Sequence, residues 1–577
     1  MRVAASPSAH NVYRRASGPL PESALAWNLY GVGIENMGRG GRPERVAVRS
    51  PRSDQILIRI DAVGLCFSDV KLLRLGGDHP KLYGRDLRAD PTRLGHETSV
   101  TVLAVGDELR HRFRPGQRLA IQPDIYVDGR STAYGYTIPG GLIEAHVIGP
   151  EVLAADDGAY VVPVDERLGY AETALTEPWA CVEASYTQRR RLWPLAGGNA
   201  LVLGRPDDAR PYAFGSVLEA SRAVVLAGAS PSLEATVRAA TGAVVSVAGS
   251  IEDAFAQGPF DDIVLLGRQP ASLVAAAADA LAFRGTLNLV RDEPLQEAVD
   301  IDIGRLHYHY IAFVGTTGLD VAAAYGEQRN RAELKSGGVT VVVGAAGPMG
   351  QMHVERALSL PDGPRLVIAV DLDAERLAAA ERKLRPVAAR RDRDLVVERL
   401  GSEPGALATL VRRYTDGGGA DDVVVTAPSA RAFVDAAASM APGGMLVLFA
   451  GVPVGTRASL DLSPVFLHGA QYTGTSGSRI ADQELVVAKA TAGELEPRRA
   501  LAAIGGLEAA ADALQALIDG RFPGKIVIFP ALRDLPLIAL ADLGQTEPQV
   551  AAALDSDGSW TLEAERRLFD AHLSPAA

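Results

Sequence analysis

The sequence predicts an α/β protein made of a small β-rich unit and two tandem parallel-sheet units, the first of them degenerate. Three observations carry this. From about residue 24 to residue 163 the chain reads as short Val-, Ile- and Leu-rich runs broken by Gly and Pro turns, the pattern of strands. Beyond residue 190 the pattern changes to apolar strands alternating with Ala-rich helices, the signature of βαβ units and a parallel sheet. That second pattern then occurs twice.

In order along the chain, residues 1–23 contain arginines but no apolar core, so they read as a disordered tail rather than a secretory signal. The runs QILIRIDAVG (55–64), TSVTVLAVG (98–106) and QRLAIQP (117–123) are strands of a unit spanning 24–190, which closes on a helical stretch at 171–188. Two βαβ lobes follow, 191–337 and 338–478. In each, a first strand is recognisable, ALVLG (200–204) and TVVVG (340–344). Near their ends, Asp302, His309, Gly315, Thr316 and Gly318 match Asp461, His468, Gly474, Thr475 and Gly477 at one constant offset, which points to duplication. Residues 479–577 return to the first unit, with a strand at KIVIFP (525–530) and an amphipathic helical tail.

Composition bounds the function. A chain of 577 residues holds several domains, and 47% hydrophobic with 22% charged residues is ordinary for a globular protein. A net charge of −12 and a pI near 5.4 exclude nucleic acid or an anionic membrane as the main partner. Two cysteines, Cys66 and Cys181, permit neither a disulfide framework nor a four-cysteine structural zinc module. No stretch is long and apolar enough to span a bilayer, so the expected setting is the cytoplasm.

Chemistry-bearing residues fall into two groups. In the second lobe, strand 340–344 runs into AAGPMG and a helix start, and a later strand, LVIAVD (366–371), ends in Asp371. Gly347 and Gly350 let backbone approach a pyrophosphate at a helix N-terminus. Gly344, Ala346, Pro348 and Met349 share that turn, and Arg376 lies just beyond Asp371. An acidic side chain there accepts from ribose hydroxyls and repels a 2′-phosphate, which favours NAD(H) over NADP(H). Ala345 stands where the first glycine of G-x-G-x-x-G belongs. The first lobe has RPDDARPYAFG (205–215) instead, with Asp207 and Asp208 where a pyrophosphate would sit, so it reads as a Rossmann-like lobe without a nucleotide site.

The second group lies in GLCFSDVK (64–71), RLGHE (93–97) and LTEPWAC (175–181). Thiolate, imidazole and carboxylate are the ligand set of a catalytic zinc with an open position. Cys66, His96 and Glu177 are the expected core ligands, with Glu97 as a fourth or exchanging one.

These motifs together resemble the zinc-containing medium-chain dehydrogenase/reductase superfamily, over about residues 24–190 and 338–530. Within it they are most similar to the L-sorbose-1-phosphate reductase branch of the polyol dehydrogenases, on Cys66–Lys71, GHE at 95–97, GQRLAIQP at 116–123, EPWAC at 177–181, AGPMG at 346–350, GTSG at 474–477 and the tail from residue 537 to 568. The resemblance implies a GroES-like catalytic domain, one catalytic zinc without a structural one, and NAD(H). It places Ser68 against the reacting oxygen at the head of a proton relay. It makes Asp69 a carboxylate that orients the ligands, and puts Lys71 where relatives carry a relay histidine. The expected substrate is a small polyol or ketose; the basic residues of 71–93 (Lys71, Arg74, His79, Lys81, Arg85, Arg88 and Arg93) would serve if it is phosphorylated. Alternatives are an unphosphorylated polyol, cyclitol or secondary alcohol and, in another class, a non-catalytic nucleotide sensor or scaffold. The final strands of the two lobes are expected to pair within the chain and imitate a dimer partner, leaving a monomer or a homodimer.

Overall fold

The computed structural model describes residues 8–573, which form two compact units. One runs to Ala184 and resumes at Gly477; the other is Ser185–Ser476.

The first unit opens with helix α1 (Ala9–Arg15). Positions 1–7 lie outside the described residues, but 9–15 correct the expectation of a disordered tail through residue 23. His10 is buried, its amide donates to Asp570 Oδ1 at 2.8 Å, and its ring meets Tyr170 and Phe569 edge-on. The partners that order this helix are distant in sequence, so no local signal announced them. Strand β1 (Ile56–Leu65) and helix α2 (Phe67–Leu75) follow, then β2 (Glu97–Val105), β3 (Arg118–Ile121), β4 (Ala145–Ile148) and β5 (Val161–Pro163). Helices α3 (Tyr170–Ala174) and α4 (Thr176–Ala184) close the segment.

The second unit contains two six-stranded parallel sheets. The first lobe has β6 (Asn199–Leu203), β7 (Ala223–Ala227), α5 (Pro231–Ala239), β8 (Val244–Val247), β9 (Phe260–Leu266) and β10 (Leu281–Val290). It ends in β11 (Val299–Asp302), α6 (Ile303–Tyr308) and β12 (Ala312–Thr316). The second has β13 (Val339–Val343), α7 (Pro348–Ser359), β14 (Leu366–Asp371), α8 (Ala374–Arg390), β15 (Asp394–Arg399), β16 (Ala420–Val425) and β17 (Met440–Leu448), and ends in β18 (Arg457–Leu460), α9 (Ser463–His468) and β19 (Gln471–Gly474). The strand orders are β8-β7-β6-β9-β10-β12 and β15-β14-β13-β16-β17-β19, the same doubly wound topology twice.

Duplication extends to single hydrogen bonds. Arg191 pairs with Asp262 and donates to the Asp261 carbonyl; Arg331 does the same with Asp422 and Asp421. Asp262 Oδ2 accepts the Leu195 amide as Asp422 Oδ2 accepts that of Lys335. Each sheet breaks register at the same place, between Phe260 and Asp262 and between Ala420 and Asp422.

The lobes are joined differently from the expectation. β12 and β19 remain in separate sheets. The connecting ribbon is β11 with β18, antiparallel, from Val299↔Leu460 to Asp302↔Arg457. Around it the lobes interlock reciprocally. A Cβ on Gly474 would meet the Leu306 carbonyl at 2.7 Å, and one on Gly315 would meet Phe466 Cβ at 2.6 Å. Those two glycines are a matched pair of the repeat, and close helix-on-strand approach is what each allows. One apolar core, including Phe313, Leu306, Phe466 and Tyr472, runs through both lobes.

The chain then completes the first unit with β20 (Leu501–Gly506), β21 (Lys525–Phe529), β22 (Ile538–Ala539) and α10 (Leu562–His572). The sheet order is β5-β3-β2-β1-β21-β20-β22, with β4 also on β1. Among the described residues, no helix is long and apolar enough to cross a membrane.

Candidate active site

Strand pairing gathers the first group of residues. β1 ends beside the start of β2, with Gly64 opposite Glu97, and β21 starts beside the end of β1, with Ile526 opposite Leu65. Cys66 therefore emerges at the N-cap of α2 next to His96 and Glu97, and Lys525 joins them from the far end of the sequence. Donor atoms of Cys66, His96 and Glu97 all lie within 4.8 Å of one another, one such group among the described residues. Gly64 is required here: a Cβ would sit 2.1 Å from Glu97 Oε2.

Asp69 holds the corner together. Its Oδ2 accepts the Cys66 amide at 2.9 Å, and its Oδ1 accepts the Gly95 amide at 3.1 Å and lies 3.3 Å from His96 Nδ1. Burial alone would raise its pKa, but His96 and those amides hold it below the usual value. With Nδ1 turned to Asp69, His96 presents Nε2, and Ser68 Oγ lies 3.3 Å from it.

These residues fit a metal ion. Glu97 Oε2 is buried without a hydrogen-bond partner, while Oε1 is held by Lys525 Nζ. A thiolate, an imidazole and a carboxylate with an unengaged oxygen are the donors zinc takes. Glu177 is not in the close group. Its buried carboxyl is pushed up to about 7 by desolvation, with Glu97 and Asp124 reinforcing and His96 opposing, and its Oε1 accepts from Cys181 Sγ at 3.6 Å.

Beyond Ser68 the structure adds residues the sequence did not single out. Tyr136 lies beside Ser68, and its ring lies 5.9 Å from that of His96 and 5.1 Å from that of His79. Lys81 Nζ stands 4.9 Å from the same ring and pairs with Asp124 at 2.7 Å. Asp124 Oδ2 occupies the space a Cβ on Gly477 would fill. Charged or hydroxyl side chains without a ligand-set motif, Asp124, Tyr136 and Lys525 carried no local signal.

The seven basic residues of 71–93 do not converge. Lys71, half-buried in α2, and Lys81 both bear on His79, whose pKa is lowered to about 4, by burial first and then by these two charges. Arg85 is committed to Asp90 and to the carbonyls of Pro91 and Thr137. Arg93 is buried, and Arg74 and Arg88 are exposed.

The second group lies in the second lobe. Gly344 takes φ +86, and its amide and that of Ala345 both donate to the Val370 carbonyl at 3.0 Å. The left-handed turn thus falls on Gly344, which is why alanine is tolerated at 345. Gly347 is the N-cap of α7 with no side chain capping the first amides, and Pro348 is its first residue. Met349 follows it in the first turn of α7. Gly350 is forced by contact: a Cβ would sit 2.1 Å from the Gly344 carbonyl oxygen. Asp371 stands at the end of β14, where its Oδ2 accepts the Ala346 amide at 2.9 Å. Arg376, in the first turn of α8, keeps its Nε buried without a partner. Free helix N-terminal amides beside a glycine turn fit a pyrophosphate.

Comparison with known proteins agrees with this geometry. Residues 52–161 match the alcohol dehydrogenase GroES-like domain. An L-sorbose 1-phosphate reductase of Klebsiella pneumoniae is 22% identical over 554 residues, covering 95% of this chain and 98% of the relative. The GroES-like match and this nearly full-length similarity support a likeness to the medium-chain dehydrogenases and reductases. A mannitol-1-phosphate 5-dehydrogenase of Aliivibrio fischeri is 28% identical over 291 residues, 48% of this chain and 65% of the relative. An alcohol dehydrogenase structure from Thermotoga maritima shares the fold, with a TM-score of 0.53 at 15% identity, covering 88% of this chain and 99% of that one. The chain is thus an oxidoreductase of the alcohol and polyol dehydrogenase kind rather than a scaffold.

The first lobe is built differently at the corresponding turn. Between β6 and β7 no helix forms among the described residues. Instead Arg210 pairs with Asp208 at 2.8 Å, Tyr212 donates to the same carboxylate at 2.6 Å, and Arg205 reaches the Arg268 carbonyl at 3.0 Å. A Cβ on Gly267, just past β9, would meet Asp208 Oδ2 at 2.8 Å. The loop lies across the strand ends where a nucleotide would bind.

Proposed function

We propose that this oxidoreductase transfers hydride between NAD(H) and a ketose or polyol carrying a phosphate ester, at a centre built on Cys66, His96 and Glu97. The observation that carries the reading is the convergence of those three donors with Ser68 beside His96 Nε2. When bound there, zinc supplies a Lewis acid for the substrate oxygen and the nicotinamide supplies or takes the hydride. Glu177, in the same buried corner, is available as a further or exchanging ligand.

The protein's own groups do the rest. Asp69 fixes the His96 ring and its tautomer, a role metal-ligand histidines require of a neighbour. Ser68 holds and passes the proton of the reacting hydroxyl, and Tyr136 beside it leads toward His79 and Lys81. Asp371, an anion where a 2′-phosphate would lie, favours NAD(H) over NADP(H). A phosphorylated substrate is supported by the full-length similarity to a sugar-phosphate reductase, with Lys81 against the Tyr136 ring and Lys71 acting on the adjacent His79. The commitment of Lys81 to Asp124 favours the second reading, an unphosphorylated polyol or secondary alcohol.

NADH oxidation with L-sorbose 1-phosphate beside L-sorbose separates the two. A kcat/KM at least about tenfold higher for the ester, the discrimination a charge-assisted contact commonly supplies, is expected. Equal rates reject the phosphate site, and no rate with either in zinc-loaded protein rejects the substrate class.

A further inference from the structure

We propose that the first unit carries a second anion site that takes the di- or triphosphate group of a small molecule. The chain as a whole carries −12, yet an open cavity of about 820 Å³ on this unit is lined by Arg14, Arg15, Arg110, Arg112 and Arg114 against one carboxylate, Glu166. None of these residues belongs to the metal corner.

The cations come from two walls, each held by backbone. One is the C-terminal end of α1, where Arg14 and Arg15 sit, anchored through His10 to Asp570. The other is the turn before β3. Gly116 has φ +81 and donates its amide to the Val102 carbonyl, and the Gln117 amide donates to the Arg114 carbonyl at 3.1 Å. At the base, Arg118 is buried, donates to the Leu168 and Gly169 carbonyls, and keeps its Nε without a partner. A buried guanidinium with a spare N–H sits behind the exposed ones.

Neutralisation is incomplete. Arg14 pairs with Glu166 at 3.0 Å and Arg110 with Asp107 at 2.7 Å, but these carboxylates are 87% and 81% exposed, and such pairs are worth little. Among the described residues, Arg15, Arg112 and Arg114 have no carboxylate within ion-pair distance; Arg112 reaches the Leu153 carbonyl at 3.4 Å and lies 5.3 Å from the Phe113 ring. Guanidinium forks match phosphate oxygens two at a time, so five of them exceed the need of one phosphate. The volume is that of a small-ligand site. The aromatic side chain on the lining, Phe113, is itself buried, which leaves no face for a base to stack on. The phosphate chain is therefore what is recognised.

Calorimetry on the full chain tests this, at physiological salt and with saturating NADH to fill the cofactor site. The probes are pyrophosphate, ADP and orthophosphate. Pyrophosphate and ADP are expected to bind one per chain with similar affinity, and orthophosphate about tenfold or more weakly. The double variant Arg112→Ala/Arg114→Ala, at exposed positions, should lose about tenfold in pyrophosphate affinity with Tm and NADH affinity unchanged. No saturable pyrophosphate binding, or binding equal in the double variant, overturns the site. Binding of ADP but not pyrophosphate overturns the assignment to the phosphate chain.

Discussion

Strand pairing brings Cys66, His96 and Glu97 together, and a glycine makes room for them. Gly64 leaves the space that Glu97 Oε2 occupies, so Gly64→Ala should displace that carboxylate and lower zinc content well below one per chain, read by metal analysis of purified protein. Cys66→Ala removes a proposed ligand outright and is expected to lose zinc and turnover while NADH binding, measured by fluorescence, stays. A zinc-free Cys66→Ala protein that still turned over would falsify the metal assignment. Both sequence and structure mark Cys66 and His96, because their residue types announce metal chemistry. Lys525 was silent: a lysine at a strand start means nothing until β21 lies beside β1.

At the scale of elements, the β13–α7 turn and α1 make separate predictions. Gly350→Val drives a side chain into the Gly344 carbonyl and should weaken NADH by more than about tenfold while zinc content holds. Asp371→Ser removes the anion at the end of β14 and is expected to raise the NADPH-to-NADH ratio of kcat/KM. Helix α1 is pH-sensitive. Burial lowers the His10 pKa from 6.5 to about 4, with Arg14 adding and Asp570 opposing. The unfolded chain therefore binds this proton first, and the stability associated with a neutral His10 is complete above about pH 6.5 and lost as pH falls toward 4. Tm should fall more steeply from pH 7 to 5 in the wild type than in His10→Leu; parallel curves reject the linkage. Strands and the glycine turn were legible from periodicity and spacing, since both are local. The order in α1 was not, since its partners Tyr170, Phe569 and Asp570 belong to other segments.

For the whole molecule, the two lobes interlock within one chain through the β11–β18 ribbon and share one apolar core. Light scattering is expected to report a monomer of 60.6 kDa; a dimer or tetramer mass rejects that reading. Ile301 is fully buried in the β11–β18 ribbon. Ile301→Asp should therefore cost about 3 kcal/mol or more by burying an unpaired charge, seen as a large drop in Tm.

By itself the sequence determined the α/β class, the repeat and the glycine turn of the second lobe, and it singled out the thiolate, imidazole and carboxylate side chains as candidate donors. Each of these follows from local spacing or residue chemistry. Tertiary structure decided that Glu97 rather than Glu177 completes the close group, since strand register places Glu97 opposite Gly64. It also decided that β11 and β18, not the final strands, join the lobes, and that the basic run 71–93 scatters while arginines from two distant segments converge. Those outcomes depend on which strands lie side by side and which faces are buried, and no local pattern encodes either.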